Sequence, residues 1–256
     1  MKLMKIISFV GLLFSLNIAA ESINGARLLF KQGDITKIPA QDGYKGGVAI
    51  VNAANSGLQA GGGVCGAIYK AAGKNKDGSY LLELECRKYT NNICEHKISV
   101  GKSYLTTAGN MKNVDFILHA VAPNFNSDNS MQKVINYDSL GKELLKNTYE
   151  NVIGHSESKK ISTLYIPFLS GGNFAGNVDK KELAKIAINS VKNYLQNNKL
   201  KNIKRVIFVL YSQDDYNLFT NVYNPFLSLK TILAGIFGFT FGFYSVYKAG
   251  LYVSSL

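Results

Sequence analysis

The stretch from Gly46 to Gly73, GGVAIVNAANSGLQAGGGVCGAIYKAAG, most constrains what this chain can fold into. Val48 to Val51 is a short apolar, β-branched run of the kind that forms a buried strand, and the small polar turn Asn52-Ala53-Ala54-Asn55 follows at once. Three consecutive glycines, Gly61 to Gly63, then lead into a helix predicted over Val64 to Ala72 with a stop at Gly73. Strand, glycine loop and helix together suit a phosphate. Glycine lets the backbone approach a ligand closely, and the free N–H groups that open a helix favour an anion.

Two well-known phosphate motifs do not describe this loop. Gly61 to Gly66 satisfies G-x-G-x-x-G, but eight residues separate Asn52 from Gly61, and Glu83 and Glu85 fall in a helix-like run instead of ending the next strand. The Gly-Lys-Ser/Thr ending of a P-loop is missing. A second strand-loop-helix unit is predicted downstream: a strand over Thr163 to Leu169, a glycine loop from Ser170 to Gly176, and a helix over Lys180 to Leu195. Asp179 and Glu182 form a capping-box pattern at the start of that helix. In an open α/β sheet ligands collect at the carboxyl ends of strands, so the loops after Val51 and Leu169 can share a cleft. Two adjacent backbone-lined anion sites suit a diphosphate.

Further strands are expected over Arg27 to Lys31, Ser103 to Thr107, Phe116 to Val121 and Arg205 to Tyr211, and helices over Tyr80 to Tyr89 and Met131 to Ile153. The longer helix is expected to place Val134, Leu144, Leu145 and Val152 near one face. This alternation predicts a layered α/β fold with a mainly parallel sheet. With 256 residues, 46% of them hydrophobic, the chain is long and apolar enough for a globular core, which excludes disorder.

The formal charge is +12, yet the lysines are scattered through polar segments, so a solvated surface is expected in preference to a nucleic-acid face. Two lysines, an apolar run from Ile6 to Ile18 and Ala19-Ala20 read as a signal peptide over residues 1–20. Thr231 to Tyr247 carries no charge and is flanked by Lys230 and Lys248, so residues 226–256 read as a membrane anchor with the domain extracytoplasmic. Cys65, Cys86 and Cys94 lack zinc spacing, and no metal or cofactor is expected. Cys65 reads as a buried apolar residue, and in an exported domain Cys86 could pair with Cys94.

Five pieces in order resemble the macro domain, an ADP-ribose-binding module: Gly33 to Thr36, Val51 to Asn55, Gly61 to Val64 with its helix, Leu118 to Asn124, and Pro167 to Phe174. The last two look closer to the viral branch. The resemblance assigns residues 21–225 to the domain and implies a three-layer α/β/α fold with a mixed, mainly parallel central sheet. It also implies binding of ADP-ribose or a mono-ADP-ribosylated protein. Asp34 and the Ile35 backbone would meet adenine, with Tyr211 packed on it. Ala53, Asn55, Gly61, Gly62, Gly63 and Val64 would hold the distal ribose and one phosphate, and Ser170, Gly171, Gly172, Asn173 and Phe174 the diphosphate. Hydrolysis of mono-ADP-ribose esters or O-acetyl-ADP-ribose would centre on Asn55, Gly63 and Phe174. A reader that binds without cleaving is the alternative. One hydrolase branch has an aspartate and a histidine where this chain has Cys65 and Tyr69, and Ala175 replaces a common glycine. His119 is expected to be structural, and Asn52 to tie its turn.

Overall fold

The computed structural model describes residues 19–40, 46–91, 98–128 and 133–223. Its strands are β1 (Ala19–Ile23), β2 (Ala26–Gln32), β3 (Gly47–Ala54), β4 (Ser103–Thr107), β5 (Phe116–Val121), β6 (Ile161–Ile166) and β7 (Arg205–Leu210). The helices are α1 (Gly63–Ala72), α2 (Leu81–Thr90), α3 (Ser139–Ser158), α4 (Lys180–Asn197) and α5 (Gln213–Tyr223). The strands form one sheet in the order β1-β2-β7-β6-β3-β5-β4, parallel except for the two edge strands.

The central strands are continuously apolar because both faces of the sheet are covered. Val48 and Ile50 of β3 and Ile207 and Val209 of β7 pack with Ile68 and Tyr69 of α1 and Leu82 of α2. The alternate residues Ala49, Val51, Val206 and Phe208 pack with Leu145 and Val152 of α3, Leu183 and Val191 of α4 and Phe219 of α5. The three-layer α/β/α arrangement follows. Neighbouring strands β3 and β6 therefore send their next helices to opposite faces, which opens a crevice at their carboxyl ends.

Several expected boundaries move. The helix expected from Met131 starts at Ser139, because Asp138 caps it by accepting from the Gly141 N–H at 2.9 Å. Val134 lies outside that helix, is exposed, and bridges to Asn124 in parallel, so it does not share the Leu145 and Val152 face. The strand expected over Thr163 to Leu169 runs Ile161–Ile166, since Pro167 has no N–H to continue the ladder. The last strand ends at Leu210, one residue before Tyr211. At the start of α4, Asp179 caps the Lys181 N–H at 2.9 Å, while the Glu182 carboxylate pairs with Lys185 instead of closing a box.

Two elements have no counterpart in the sequence reading. β1 covers the edge of β2, and α5 follows β7, with Ser212 Oγ accepting from the Asp215 N–H at 3.1 Å and two aspartates in its first turn. Phe219 of α5 is fully buried, 4.8 Å from the Phe168 ring centroid and 5.1 Å from Phe208. No helix among the described residues is long and apolar enough to cross a membrane; Thr231 to Tyr247 and most of residues 1–20 lie outside them.

Candidate functional site

β3 delivers its carboxyl end to a turn that is tied from within. Asn55 Nδ2 donates to the Gln59 carbonyl at 2.9 Å and its Oδ1 accepts from the Gln59 N–H at 3.2 Å. Tyr69 on α1 donates its hydroxyl to the Leu58 carbonyl, fixing the turn to the helix that follows it. Each end of the Asn55 amide keeps one hydrogen-bonding valence beyond Gln59. The loop then folds over the start of α1 so closely that a Cβ at Gly66 would overlap the Gly61 carbonyl. Gly62 and Gly63 face open space, with φ at +57° for Gly63, and no side chain caps α1 or places a carboxylate in its first turn. The N–H groups there are presented outward, with the positive end of the helix dipole behind them.

The loop after β6 is held differently. Ser170 has φ of +57°, a strained value for a residue with a Cβ, and its hydroxyl donates to the Pro123 carbonyl at 2.7 Å. Tyr149 of α3 grips Leu169 from both sides, accepting from its N–H at 3.0 Å and donating to its carbonyl at 3.4 Å. Phe125 donates its N–H to the Phe174 carbonyl at 2.8 Å, and a Cβ at Gly176 would overlap the Phe125 carbonyl. The segment after β5 thus braces this loop. Asn173 and Phe174 lie in a single 3₁₀ turn, Asn173–Ala175, with Asn173 and Gly172 exposed and Phe174 half-buried.

One and two strand positions beyond β6, the paired β7 and β2 end together. The Gly33 N–H donates to the Leu210 carbonyl at 2.9 Å, which brings Asp34 and Ile35 alongside Tyr211, a ring 81% exposed. Asp34 accepts from the Thr36 N–H at 2.9 Å and the Thr36 hydroxyl at 2.7 Å. Partial burial works to raise its carboxyl, but those two bonds and Lys37 outweigh it and hold the group below its ordinary value.

Beneath the first loop lies a buried polar cluster. Asn52 Nδ2 lies 3.1 Å from His119 Nδ1 and 3.6 Å from the Cys65 sulfur, and His119 Nε2 lies 2.9 Å from Thr106 Oγ1 and 3.8 Å from Cys86. With Asn52 donating to Nδ1, the ring proton sits on Nε2 and is given to Thr106. Burial pushes the His119 pKa down to about 3, so the ring is neutral at physiological pH. Burial likewise raises the Cys65 thiol and pushes Cys86 up to about 12, which leaves both as thiols. Cys86 is a free thiol facing Tyr69 and His119; Cys94, its expected partner, lies outside the described residues.

The structure therefore sets the expected Asn55 and Gly61 to Val64 beside Ser170 to Phe174 at adjacent strand ends, with Asp34, Ile35 and Tyr211 further along the same edge. Ala53 is half-buried at the end of β3. The bracing role of Pro123 and Phe125 was not legible. Their order in sequence was visible, but their contact with Ser170 and Phe174 depends on β5 lying one strand beyond β3.

Comparison with known proteins agrees with this arrangement. The Macro domain family matches residues 51–187. Among curated proteins, the O-acetyl-ADP-ribose deacetylase 1 of Pantoea vagans is 30% identical over 193 residues, covering 75% of this chain and 96% of that protein. Among solved structures, the Oceanobacillus iheyensis macrodomain with ADP superposes with a TM-score of 0.65 at 30% identity, covering 81% of this chain and 95% of that one. The Trypanosoma brucei macrodomain in complex with ADP-ribose shares the fold, with a TM-score of 0.57 at 20% identity over 75% of this chain and 67% of that one.

Proposed function

Since this chain belongs to the macro domain family, we propose that its cleft binds ADP-ribose and that the protein hydrolyses ADP-ribose esters, either mono-ADP-ribose on protein carboxylates or O-acetyl-ADP-ribose. One observation carries the reading: two glycine loops, one open at Gly62 and Gly63 and the other at Gly172, occupy adjacent strand ends, and an acceptor with an exposed ring lies along the same edge. From the end of β2 to that of β3 is three strand spacings, about 14 Å, a span suited to an extended nucleoside diphosphate joined to a second ribose.

In this reading Asp34 accepts from the adenine amino group beside the Ile35 N–H, and Tyr211 stacks on the base. Gly61 to Val64 and Ser170 to Phe174 hold the diphosphate from two sides. Asn55, with Ala53 beside it, uses its spare valences on the distal ribose, with Gly63 and Phe174 closing around the ester. Cys65 and His119 are buried and neutral, so the rate comes from positioning a water against the ester, not from a side-chain nucleophile. Reading without cleavage is the second possibility, and the commitment of the Asn55 amide to Gln59 favours it.

We propose further that residues 1–20 direct export and residues 226–256 anchor the domain on the extracytoplasmic side. Cleavage after Ala20 would leave the pairs Ser22↔Arg27 and Ile23↔Ala26 of β1 intact.

The deciding experiment offers O-acetyl-ADP-ribose and an ester-linked mono-ADP-ribosylated protein to the wild-type chain and to Asn55→Ala, with ADP-ribose binding measured in parallel. Turnover by wild type and a loss of about 100-fold in kcat in the variant, with binding retained within tenfold, is expected. Tight binding without turnover in wild type would make the protein a reader.

A further inference from the structure

Five lysines and one arginine that are scattered in sequence come together at one end of the fold. Arg27 is the second residue of β2, Arg205 opens β7 with Lys204 just before it, and Lys159 and Lys160 lead into β6; these are neighbouring strands at the edge opposite the cleft. Lys199 and Lys201 belong to the link between α4 and β7, which is bound to the same edge by Arg27 N–H to Lys204 carbonyl and Lys204 N–H to Ser162 carbonyl. Arg27, Lys159, Lys160, Lys199, Lys201 and Lys204 are all exposed, and none forms an ion pair among the described residues. The carboxylate within this group, Glu157, is occupied by the backbone N–H groups of Lys201, Asn202 and Ile203 at 2.6 to 3.1 Å. Asp115, further along the edge, accepts from the Val48 N–H.

The described chain leaves the domain toward this same end. α5 runs beside α4 in the same direction, paired near their starts by Lys180 and Asp215 at 3.1 Å and further along by Lys192, whose Nζ lies 5.0 Å from the Tyr223 ring centroid. From Lys192 the helix has about one and a half turns left before it reaches the basic link. Residues 224–230 can span at most about 25 Å before the uncharged run Thr231 to Tyr247 begins.

We propose that this basic end is a docking surface for an anionic lipid bilayer, laid flat on the headgroups next to the chain's own anchor, so that the nucleotide cleft faces away from the membrane. The inference rests on the anchoring of residues 226–256 proposed above. Charge complementarity selects the partner, and the short link to the apolar run brings it within reach. The strands of six or seven residues hold the cleft about 20 Å from the headgroups, open to a protein target.

The test uses the full chain with vesicles of phosphatidylcholine alone or with added phosphatidylglycerol, read by flotation and by the rate of lysine acetylation followed residue by residue. Acetylation of Lys199, Lys201 and Lys204 is expected to slow by about fivefold or more on the anionic vesicles alone and to recover in about 0.5 M salt, while Lys181 at the cleft end is unchanged. In the triple variant Lys199→Glu, Lys201→Glu, Lys204→Glu, flotation and ADP-ribose binding should persist while protection of Lys159 and Lys160 disappears. Equal rates on both vesicles would overturn the proposal, as would stronger protection of the same lysines by a short RNA than by lipid. Failure to float with phosphatidylcholine would remove the anchor; protection on anionic vesicles would then still support the basic surface, and its absence would end both.

Discussion

In the loop after β3, a Cβ added at Gly62 or Gly63 meets nothing within 4 Å, whereas in the loop after β6 one added at Gly171 runs into the Phe168 ring and one at Gly176 into the Phe125 carbonyl. The first loop is tied from below by side chains, Asn55 to Gln59 and Tyr69 to Leu58, and its glycines clear a space. The second is closed on itself and on the segment after β5, so two of its glycines serve packing, and Gly172 alone among Gly171, Gly172 and Gly176 faces open space. Glycine-rich composition thus has two meanings in one site. In one loop it leaves the backbone open to its surroundings, and in the other it lets the loop exist.

The contrast is open to attack by substitution. Gly176→Ala combines a φ of +54° with backbone overlap and should cost about 2–4 kcal/mol, read as a lowered denaturation midpoint with an unchanged slope. A change below about 1 kcal/mol would show that the second loop yields as easily as the first. Gly62→Asp should do the reverse. A carboxylate at the N-terminus of α1 should raise stability by about 0.3–1 kcal/mol while lowering ADP-ribose affinity at least about tenfold, by calorimetry. Parallel losses in both would mean that Gly62 is structural too.

A further test concerns pH and the layer beneath the first loop. His119 is buried and neutral, with a folded pKa near 3 against an ordinary value of 6.5. The unfolded chain therefore takes up a proton that the folded one refuses. The stability that His119 contributes is present above pH 6.5 and is lost progressively as pH falls toward 3. His119→Gln, though less stable overall, should lose that part of the slope between pH 6.5 and 5, before carboxylates enter. ADP-ribose affinity should stay flat from pH 8 to 5, because Asp34 is held below its ordinary carboxylate value and stays charged there.

The parts legible in the sequence were those whose cause is local. The β3 run, the Gly61 to Gly63 loop and α1 follow from contiguous residues, as does the parallel sheet from the alternation of segments. α5 was missed although Tyr216, Phe219 and Tyr223 recur at helical spacing and pack against the core, and although Ser212 followed by two aspartates was a start signal; at about three turns it is short for a periodic pattern to stand out. The Asn52 and His119 contact depends on the register of β3 against β5, which no spacing reveals. The basic end needs the topology itself, since Arg27, Lys160 and Lys204 come together only when β2, β7 and β6 are neighbours.

That strand order also fixes when the domain can close. β7 is the last strand among the described residues, yet it lies between β2 and β6, with Arg205 opposite both Arg27 and Thr163. Until residue 210 has left the ribosome, the backbone groups of β2 and β6 that face this gap have no partner, and no early fragment of the chain can satisfy them. Sheet assembly is therefore a late, long-range event, slow by the entropy of joining positions so far apart in sequence. A sheet that stays open until β7 has been made leaves the chain threadable for most of its synthesis, and its two halves become one cleft in the same step that inserts β7.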